Sequence, residues 1–131
     1  MGVGTLKSSG SSLNIPSGSG SERLCRASIS VLNNSWQEIL GTTTSGQAGH
    51  IYTILSVICC NKTSSASVIA MRVNTGSNDI ELIPANEARL PAYGTFVFND
   101  KFVLEEDDDL DVYNNASDCD WYVTYIDQDW T

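Results

Sequence analysis

Apolar and polar residues alternate in short segments along most of the chain from Leu24 onward. Ala27, Ile29 and Val31 alternate with serines, which is typical of a strand with one face in a core and the other in water. Residues 50–60 and 66–74 carry apolar side chains on both faces, so both are predicted to be central strands. In the second of these, one face would hold Ile69, Met71 and Val73, and the other Val68 and Ala70.

Turn residues separate the apolar segments at regular intervals. Residues 75–78 (TGSN) predict a turn, and prolines at positions 84 and 91 bracket a stretch too short for an ordinary helix. Asn99 and Asp100 tolerate positive φ, so residues 96–98 and 101–104 are predicted to form a two-residue hairpin. A last hairpin is expected from residues 110–114 and 119–126.

This succession of about eight or nine strands, without an amphipathic helix, predicts an all-β fold. We expect an antiparallel β-sandwich over residues 24–131, jelly-roll-like or immunoglobulin-like, preceded by an extended N-terminal arm over residues 1–23. With 131 residues, the chain has the length of one such domain.

The arm is rich in Gly and Ser and has only scattered apolar residues. Such a sequence does not offset its own ordering entropy, so we expect the arm to lie along a partner surface. A plain linker is the alternative. The predicted partner-binding residues are Leu6, Lys7, Leu13, Ile15, Arg23 and Arg26. The N-terminus lacks the apolar stretch of a secretory signal and no segment has the length of a transmembrane helix, so a soluble cytoplasmic product without membrane contact is expected.

Charge divides the chain into two unequal parts. Five basic and two acidic residues precede Asp79 (5 − 2 = +3), whereas two basic and fourteen acidic residues follow from Asp79 onward (2 − 14 = −12), which together give the net charge of −9. A surface of this sign repels phosphate backbones, so nucleic acid is not an expected partner.

Residues with catalytic chemistry are few. His50 is the single histidine and is expected at a strand end or a subunit contact. The cysteines at positions 25, 59, 60 and 119 lack the CxxC spacing of a zinc site and are expected to be buried thiols, with Cys59 and Cys60 on opposite faces of one strand. No catalytic residue and no cofactor are predicted, and an enzyme is not expected.

Six carboxylates crowd into residues 105–111 (EEDDDLD). Asp107, Asp109 and Asp111 alternate as ligands do in a calcium loop, and are the candidate metal ligands. The glycine and the closing glutamate of such a loop are missing, so a solvated acidic turn is the favoured interpretation.

Several segments resemble the small β-sandwich virion proteins of tailed bacteriophages. They are residues 27–40 (ASISVLNNSWQEIL), 52–66 (YTILSVICCNKTSSA), 90–95 (LPAYGT), 101–105 (KFVLE) and 109–113 (DLDVY), within a likeness that extends over residues 27–126. The acidic turn departs from the Gly-Asp turn that this group often has. The resemblance implies a head decoration or cement protein, a head fibre, or a neck or tail accessory, commonly trimeric and without catalytic residues.

Together these features predict a capsid decoration or cement protein of a virion assembled in the host cytoplasm. It would bind the major capsid protein or neighbouring virion subunits through its arm, and form a homo-oligomer, preferably a trimer, through Tyr52, Ile58 and Tyr122. The alternatives are a neck, tail or fibre-attachment protein of the same fold, and a carbohydrate-binding β-sandwich in which Trp130 or Tyr93 stacks on sugars beside a calcium-binding acidic loop.

Overall fold

The computed structural model describes residues 7–9, 12–14, 21–31, 35–41, 49–105, 107–115 and 118–129. Within these ranges the chain forms eleven strands: β1 (Lys7–Ser9), β2 (Ser12–Asn14), β3 (Ser21–Val31), β4 (Ser35–Leu40), β5 (His50–Asn61), β6 (Ser67–Asn74), β7 (Asp79–Leu90), β8 (Thr95–Phe98), β9 (Phe102–Leu104), β10 (Asp109–Asn114) and β11 (Cys119–Asp129).

The strands make two antiparallel sheets that pack face to face. The large sheet has the order β1-β2-β3-β11-β5, and β5 then pairs with both β8 and β9. The small sheet has the order β4-β10-β6-β7. The predicted all-β, antiparallel, two-layer architecture is therefore confirmed.

The core lies between the inner faces of the two sheets. Leu110 and Val112 of β10 point inward from the small sheet, as do Ile69 and Met71 of β6. Trp121 of β11 lies opposite them in the same cluster and is 1% exposed. The predicted division of β6 is confirmed, because Ile69, Met71 and Val73 belong to this core while Val68 and Ala70 do not.

A polar side chain joins the two sheets inside this core. The Asn114 amide nitrogen donates to the Val31 carbonyl oxygen at 2.9 Å, and its carbonyl oxygen accepts a hydrogen bond from the Trp121 indole nitrogen at 3.1 Å. Asn114 belongs to β10 of the small sheet, whereas Val31 and Trp121 belong to the large sheet. A buried amide survives in a core when its polar atoms find partners, as these do.

Both hairpins predicted in the last third of the chain are wrong. β8 and β9 do not pair with each other but follow one another along β5, with Phe98 opposite Val57 and Phe102 opposite Ile54. They are two pieces of one interrupted edge strand. β10 and β11 lie in different sheets, and the Asn115 side-chain oxygen accepts a hydrogen bond from the Val68 backbone N–H at 2.8 Å where the chain leaves the small sheet.

The segment between Pro84 and Pro91, too short for an ordinary helix, is part of a strand. β7 extends from Asp79 to Leu90 along the edge of the small sheet, with a register shift opposite Ile69 and Met71. An edge strand with an irregular register can hold Pro84 because that residue has no N–H to donate to a neighbour.

The predicted arm is partly built into the large sheet. β1 and β2 form an antiparallel pair, and β2 pairs with β3 through Ser12 with Cys25 and Leu13 with Leu24. Since β3 begins at Ser21, residues 21–23 belong to the sheet rather than to the arm. Leu6 and Ile15 lie outside the described residues.

Candidate assembly surface on the large sheet

The outer face of the large sheet carries a row of apolar side chains. In β11 the odd-numbered residues from Cys119 to Asp127 are buried, so Tyr122 points outward. Register pairs Tyr122 with Ile58 of β5, and Ile58 with Val97 of β8. Side chains directly opposite each other on antiparallel strands are in contact range, so these three residues form one continuous row.

A second apolar row crosses the same face nearer the other end of the strands. Leu24 of β3 pairs with Ile126 of β11, which pairs with Thr53 of β5, and Thr53 pairs with Val103 of β9. The exposed fractions are 37% for Leu24 and Tyr122, 48% for Val97 and 50% for Val103. We call these four residues, together with Ile58 and Ile126, the apolar face.

Between its two rows the apolar face holds the exposed Arg26 and its partner Thr124, so it carries one cation in a chain of net charge −9. The outward positions of β3, β5, β8, β9 and β11 include two carboxylates, Glu22 and Asp120, which lie at opposite ends of the sheet. Asp120 accepts a hydrogen bond from the Ser30 hydroxyl and pairs with Lys62 at 3.0 Å. The hydrogen bond from Ser30, together with Lys62, lowers the pKa of Asp120.

The outer face of the small sheet is acidic by contrast. Glu38, Asp109, Asp111, Asp79 and Glu81 point outward from it, around Arg72. The Arg72 Nε lies 3.2 Å from an Asp111 oxygen and its Nη1 lies 3.6 Å from an Asp79 oxygen. The guanidinium also lies 4.0 Å from the centre of the Trp36 ring, a cation–π distance. The pKa of Asp111 is raised, first by burial and then by Asp109 and Glu38, although Arg72 acts in the opposite direction.

We expect Arg72→Ala to lower the free energy of unfolding at pH 7 by about 2 kcal/mol, because it leaves a partly buried carboxylate without its counter-charge and removes the contact with Trp36. A carboxyl group whose pKa is raised by folding is costly when ionised, so the loss should shrink as the pH falls and Asp111 takes up a proton. Urea unfolding at neutral and acidic pH measures both effects. Arg89→Ala, which removes an exposed arginine from the same face, is the matched control and should cost little.

A second cluster of charged side chains lies at one end of the large sheet and includes His50. The His50 Nδ1 is 2.7 Å from one Asp127 oxygen, and Arg23 donates to the other Asp127 oxygen at 2.8 Å. The His50 Nε2 lies 3.5 Å from Asp129. The expectation that His50 sits at a strand end is confirmed. Arg23, predicted to bind a partner, is exposed and donates this hydrogen bond to Asp127 of its own chain.

The thiols of the four cysteines are free. The side chains at positions 25, 59 and 119 are buried, as predicted, and Cys60 is half-buried on the outer face. Burial raises the pKa of Cys25. Cys59 and Cys119 share a hydrogen bond that raises the pKa of the first and lowers that of the second. Register places Cys59 opposite Trp121 rather than opposite Cys119, and such diagonal Cα atoms lie about 7–8 Å apart, too far for an unstrained disulfide.

The acidic turn after β9 is closed by its own residues. The Asp108 N–H donates to the Glu105 carbonyl oxygen at 3.1 Å, and the Glu105 N–H donates to the Asp108 carboxylate at 2.9 Å. Asp107 has a φ of 77°, which aspartate tolerates better than most residues. Asp109 and Asp111 lie on β10, and Asp111 pairs with Arg72. Within the described ranges, no three His, Cys, Asp or Glu side chains are grouped as metal ligands would be.

Of the predicted oligomer contacts, Ile58 and Tyr122 are neighbours on the apolar face. The prediction of Tyr52 as an oligomer contact is wrong, because this residue is 5% exposed and packs in the core against Tyr125, with ring centres 5.1 Å apart. Tyr52 and Ile58 are six positions apart, an even spacing that puts both on one face of a regular strand. A register shift in β5, opposite Thr124 and Tyr125, reverses the alternation of inward and outward side chains. Tyr52 therefore faces the core, whereas Ile58 faces outward.

The remaining predicted residues are dispersed. Lys7 lies in β1 and Leu13 in β2 at the edge of the large sheet, Arg26 is exposed on β3, and Tyr93 is 69% exposed in the turn before β8. Trp130 lies outside the described residues. Sequence reasoning missed Leu24, Val97 and Val103, although Val97 stands between Phe96 and Phe98, whose alternation already marks it as the outward residue.

No family model, curated protein or solved structure matches this chain. Among the described residues, no helix has the length and apolar character required to cross a membrane.

Proposed function

We propose that this chain is a structural subunit whose apolar face binds another protein in a large assembly. The observation that carries the proposal is the apolar face itself: four of the six large hydrophobic side chains that are exposed in the described ranges lie on it. Exposed apolar side chains grouped in two rows on one face of an otherwise charged protein, here on either side of Arg26 and Thr124, indicate an interaction site.

The charged clusters favour a structural role over a catalytic one. Arg72 and Asp127 each bind more than one group of the chain itself, so these side chains hold strands together. A catalytic group must instead have a lone pair or a proton available to a substrate.

The resemblance to small β-sandwich virion proteins gives the proposal a setting. We place the chain on a tailed-bacteriophage head as a decoration or cement protein, bound to the major capsid protein or to neighbouring copies. Tyr122, the aromatic residue of the apolar face, is the anchor we expect to dominate binding, because aromatic side chains contribute a large apolar area at low entropic cost. The acidic face of the small sheet would then be directed toward solvent.

The arm remains part of the proposal, with a corrected boundary. β2 pairs with β3 at Leu24, a residue of the apolar face, so the arm and the face are adjacent. A test of the arm should remove residues 1–20 and spare Ser21, because β3 begins there and Arg23 binds Asp127.

The proposal is tested by mixing the purified chain with undecorated capsids of the phage that carries its gene and following co-sedimentation. We expect saturable binding of the full chain and at least about tenfold weaker binding after removal of residues 1–20, because the arm adds contact area. Failure of both proteins to bind would contradict the proposal. Copy number separates the positions on the virion: many copies per head for a decoration protein, few for a neck or tail protein.

A carbohydrate-binding module is the second candidate, favoured by Tyr93. This residue is 69% exposed, and its backbone N–H donates to the Thr63 carbonyl at 3.0 Å, so a fixed turn presents its ring. Aromatic rings presented in this way can stack on sugars. Glycan binding that is lost in Tyr93→Ala would favour this function over assembly.

A further inference from the structure

Side chains of opposite charge flank one row of the apolar face. This row, which we call the Tyr122 row, crosses β3, β11, β5 and β8 through Ser28, Tyr122, Ile58 and Val97. Outward positions recur at every second residue, so Arg26 lies on one side of the Tyr122 row and Asp120 on the other. Each is about 7 Å from the row along its strand, because a strand rises about 3.3 Å per residue.

Both charged side chains have hydrogen-bonding capacity left. Arg26 is exposed, and its guanidinium forms no ion pair or hydrogen bond with any other described residue. Ser30 and Lys62 both contact the Oδ1 atom of Asp120, which leaves the Oδ2 atom available. Arg26 is opposite Thr124, and Asp120 lies four residues away, about 13 Å along β11. An ion pair between Arg26 and Asp120 therefore requires two molecules.

A shallow cavity of about 340 Å³ lies over the β3–β11 pair, beside Asp120. It is lined by Ser28, Ile29, Ser30, Asp120, Trp121 and Tyr122. A guanidinium is attracted both by a carboxylate and by an aromatic ring, and this cavity offers Asp120 and Tyr122 together. The cavity therefore has the chemistry to receive an arginine side chain of another molecule.

We infer that the Tyr122 row packs against the same row of a second copy of this chain, related by a twofold axis that lies along the row, midway between the two large sheets. This rotation places β3 over β3 and β11 over β11, with the strand directions reversed. Arg26 of each copy then lies over Ser30 of the other copy, one strand away from Asp120 and at the cavity. Strands in a sheet are about 4.8 Å apart, so an arginine side chain can reach the Asp120 Oδ2. The axis makes this ion pair twice.

The same rotation buries the apolar side chains of the Tyr122 row. Tyr122, Ile58 and Val97 each meet the same residue of the second copy, and side chains of two sheets about 10 Å apart interdigitate. The second apolar row, which includes Leu24, is not part of this contact and lies beside β2 of the arm. A twofold axis closes the interface with two copies, so we expect a dimer rather than the trimer that the resemblance implies.

The inference rests on the proposed function, because it names a second copy as the partner of one row of the apolar face. Its test is sedimentation of the purified full chain without capsids, at about 100 µM protein and about 0.15 M salt, which screens the repulsion between two chains of net charge −9. We expect dimers. Arg26→Asp and Asp120→Arg should each weaken association at least about tenfold, because like charges then meet twice across the axis. Arg89→Asp makes the same change of charge as Arg26→Asp, but on the small sheet, and should leave the dimer intact.

Mixing the two variants tests the pairing itself. Arg26→Asp and Asp120→Arg should each be largely monomeric alone and form a heterodimer together, because opposite charges then meet at both contacts across the axis. Such recovery also shows that both variants are folded. A monomeric wild type, a dimer that persists in both variants, or a mixture that stays monomeric would each overturn the inference.

Co-sedimentation with undecorated capsids, measured separately, distinguishes the two proposals. Binding to capsids by a chain that is monomeric in their absence would contradict the dimer and leave the proposed function standing. A wild-type dimer that fails to bind capsids would contradict the proposed function and leave the dimer standing.

Discussion

Trp121→Ala is expected to lower the free energy of unfolding by about 4 kcal/mol, the range found when a large aromatic residue is removed from a core. The ring is 1% exposed and lies between the two sheets. Its indole N–H is also the donor to Asn114, so the alanine variant leaves the Asn114 oxygen without that partner. Urea unfolding followed by circular dichroism measures the loss.

Two further variants separate packing from hydrogen bonding at this site. Trp121→Phe keeps most of the apolar volume but removes the donor, so it should cost about 1–2 kcal/mol. Tyr122→Ala changes the next residue along β11, which points outward and is 37% exposed, and should stay within about 1 kcal/mol of wild type. An equal cost for Trp121→Ala and Tyr122→Ala would contradict the assignment of inner and outer faces.

Asn61→Asp is expected to cost about 3 kcal/mol at neutral pH. The fully buried Asn61 amide nitrogen donates to the carbonyl oxygens of Ser65 at 2.8 Å, Pro91 at 3.1 Å and Leu90 at 3.4 Å. In the aspartate variant a negatively charged oxygen faces these three carbonyl oxygens instead. The Asn61 oxygen accepts from the Thr63 N–H and hydroxyl, and aspartate can keep these two bonds.

The cost of Asn61→Asp should depend on pH. Surrounding carbonyl oxygens disfavour the ionised form, so the pKa of the introduced carboxyl would lie above its value in the unfolded chain. Stability lost at neutral pH should therefore return on acidification, because a protonated carboxyl can donate a hydrogen bond. Asn78→Asp, in an exposed turn, is the control and should show neither effect. A small and pH-independent change in Asn61→Asp would show that Asn61 does not hold these loops.

Local patterns predicted most of the strands from residue 24 onward and, in β6, the residues that face the core, but not β1 and β2 in the arm or the second half of β7. They did not predict which strands pair. Asn99 and Asp100 have the chemistry of a tight turn, yet β8 and β9 both follow β5, and this choice depends on packing of Phe98 against Phe102 and the core, with ring centres 5.9 Å apart. Hairpin signals are local in the sequence. Whether the next strand joins the same sheet or the other sheet depends instead on contacts with residues distant in the sequence.

For the candidate site, the sequence likewise predicted some of the residues but not which of them share a face. Ile58 and Tyr122 were expected to share an interface, and they are neighbours on the apolar face. Tyr52 could not be separated from them by its spacing, because the register shift in β5 leaves no mark in the sequence. Acidic residues from the second half of the chain also divide between sheets, with Asp109 and Asp111 in the small sheet and Asp127 and Asp129 in the large one.

The central claim, that the apolar face binds a partner in an assembly, is tested most directly by co-sedimentation of Val97→Glu and Ile80→Glu with undecorated capsids. Both residues are β-branched and on edge strands, and their exposed fractions are 48% and 50%, but Val97 belongs to the apolar face and Ile80 to the small sheet. We expect Val97→Glu to bind at least about tenfold more weakly than wild type, because a buried charge without a partner is costly, and Ile80→Glu to bind as wild type does. Equal binding by the two variants, or a loss confined to Ile80→Glu, would contradict the claim.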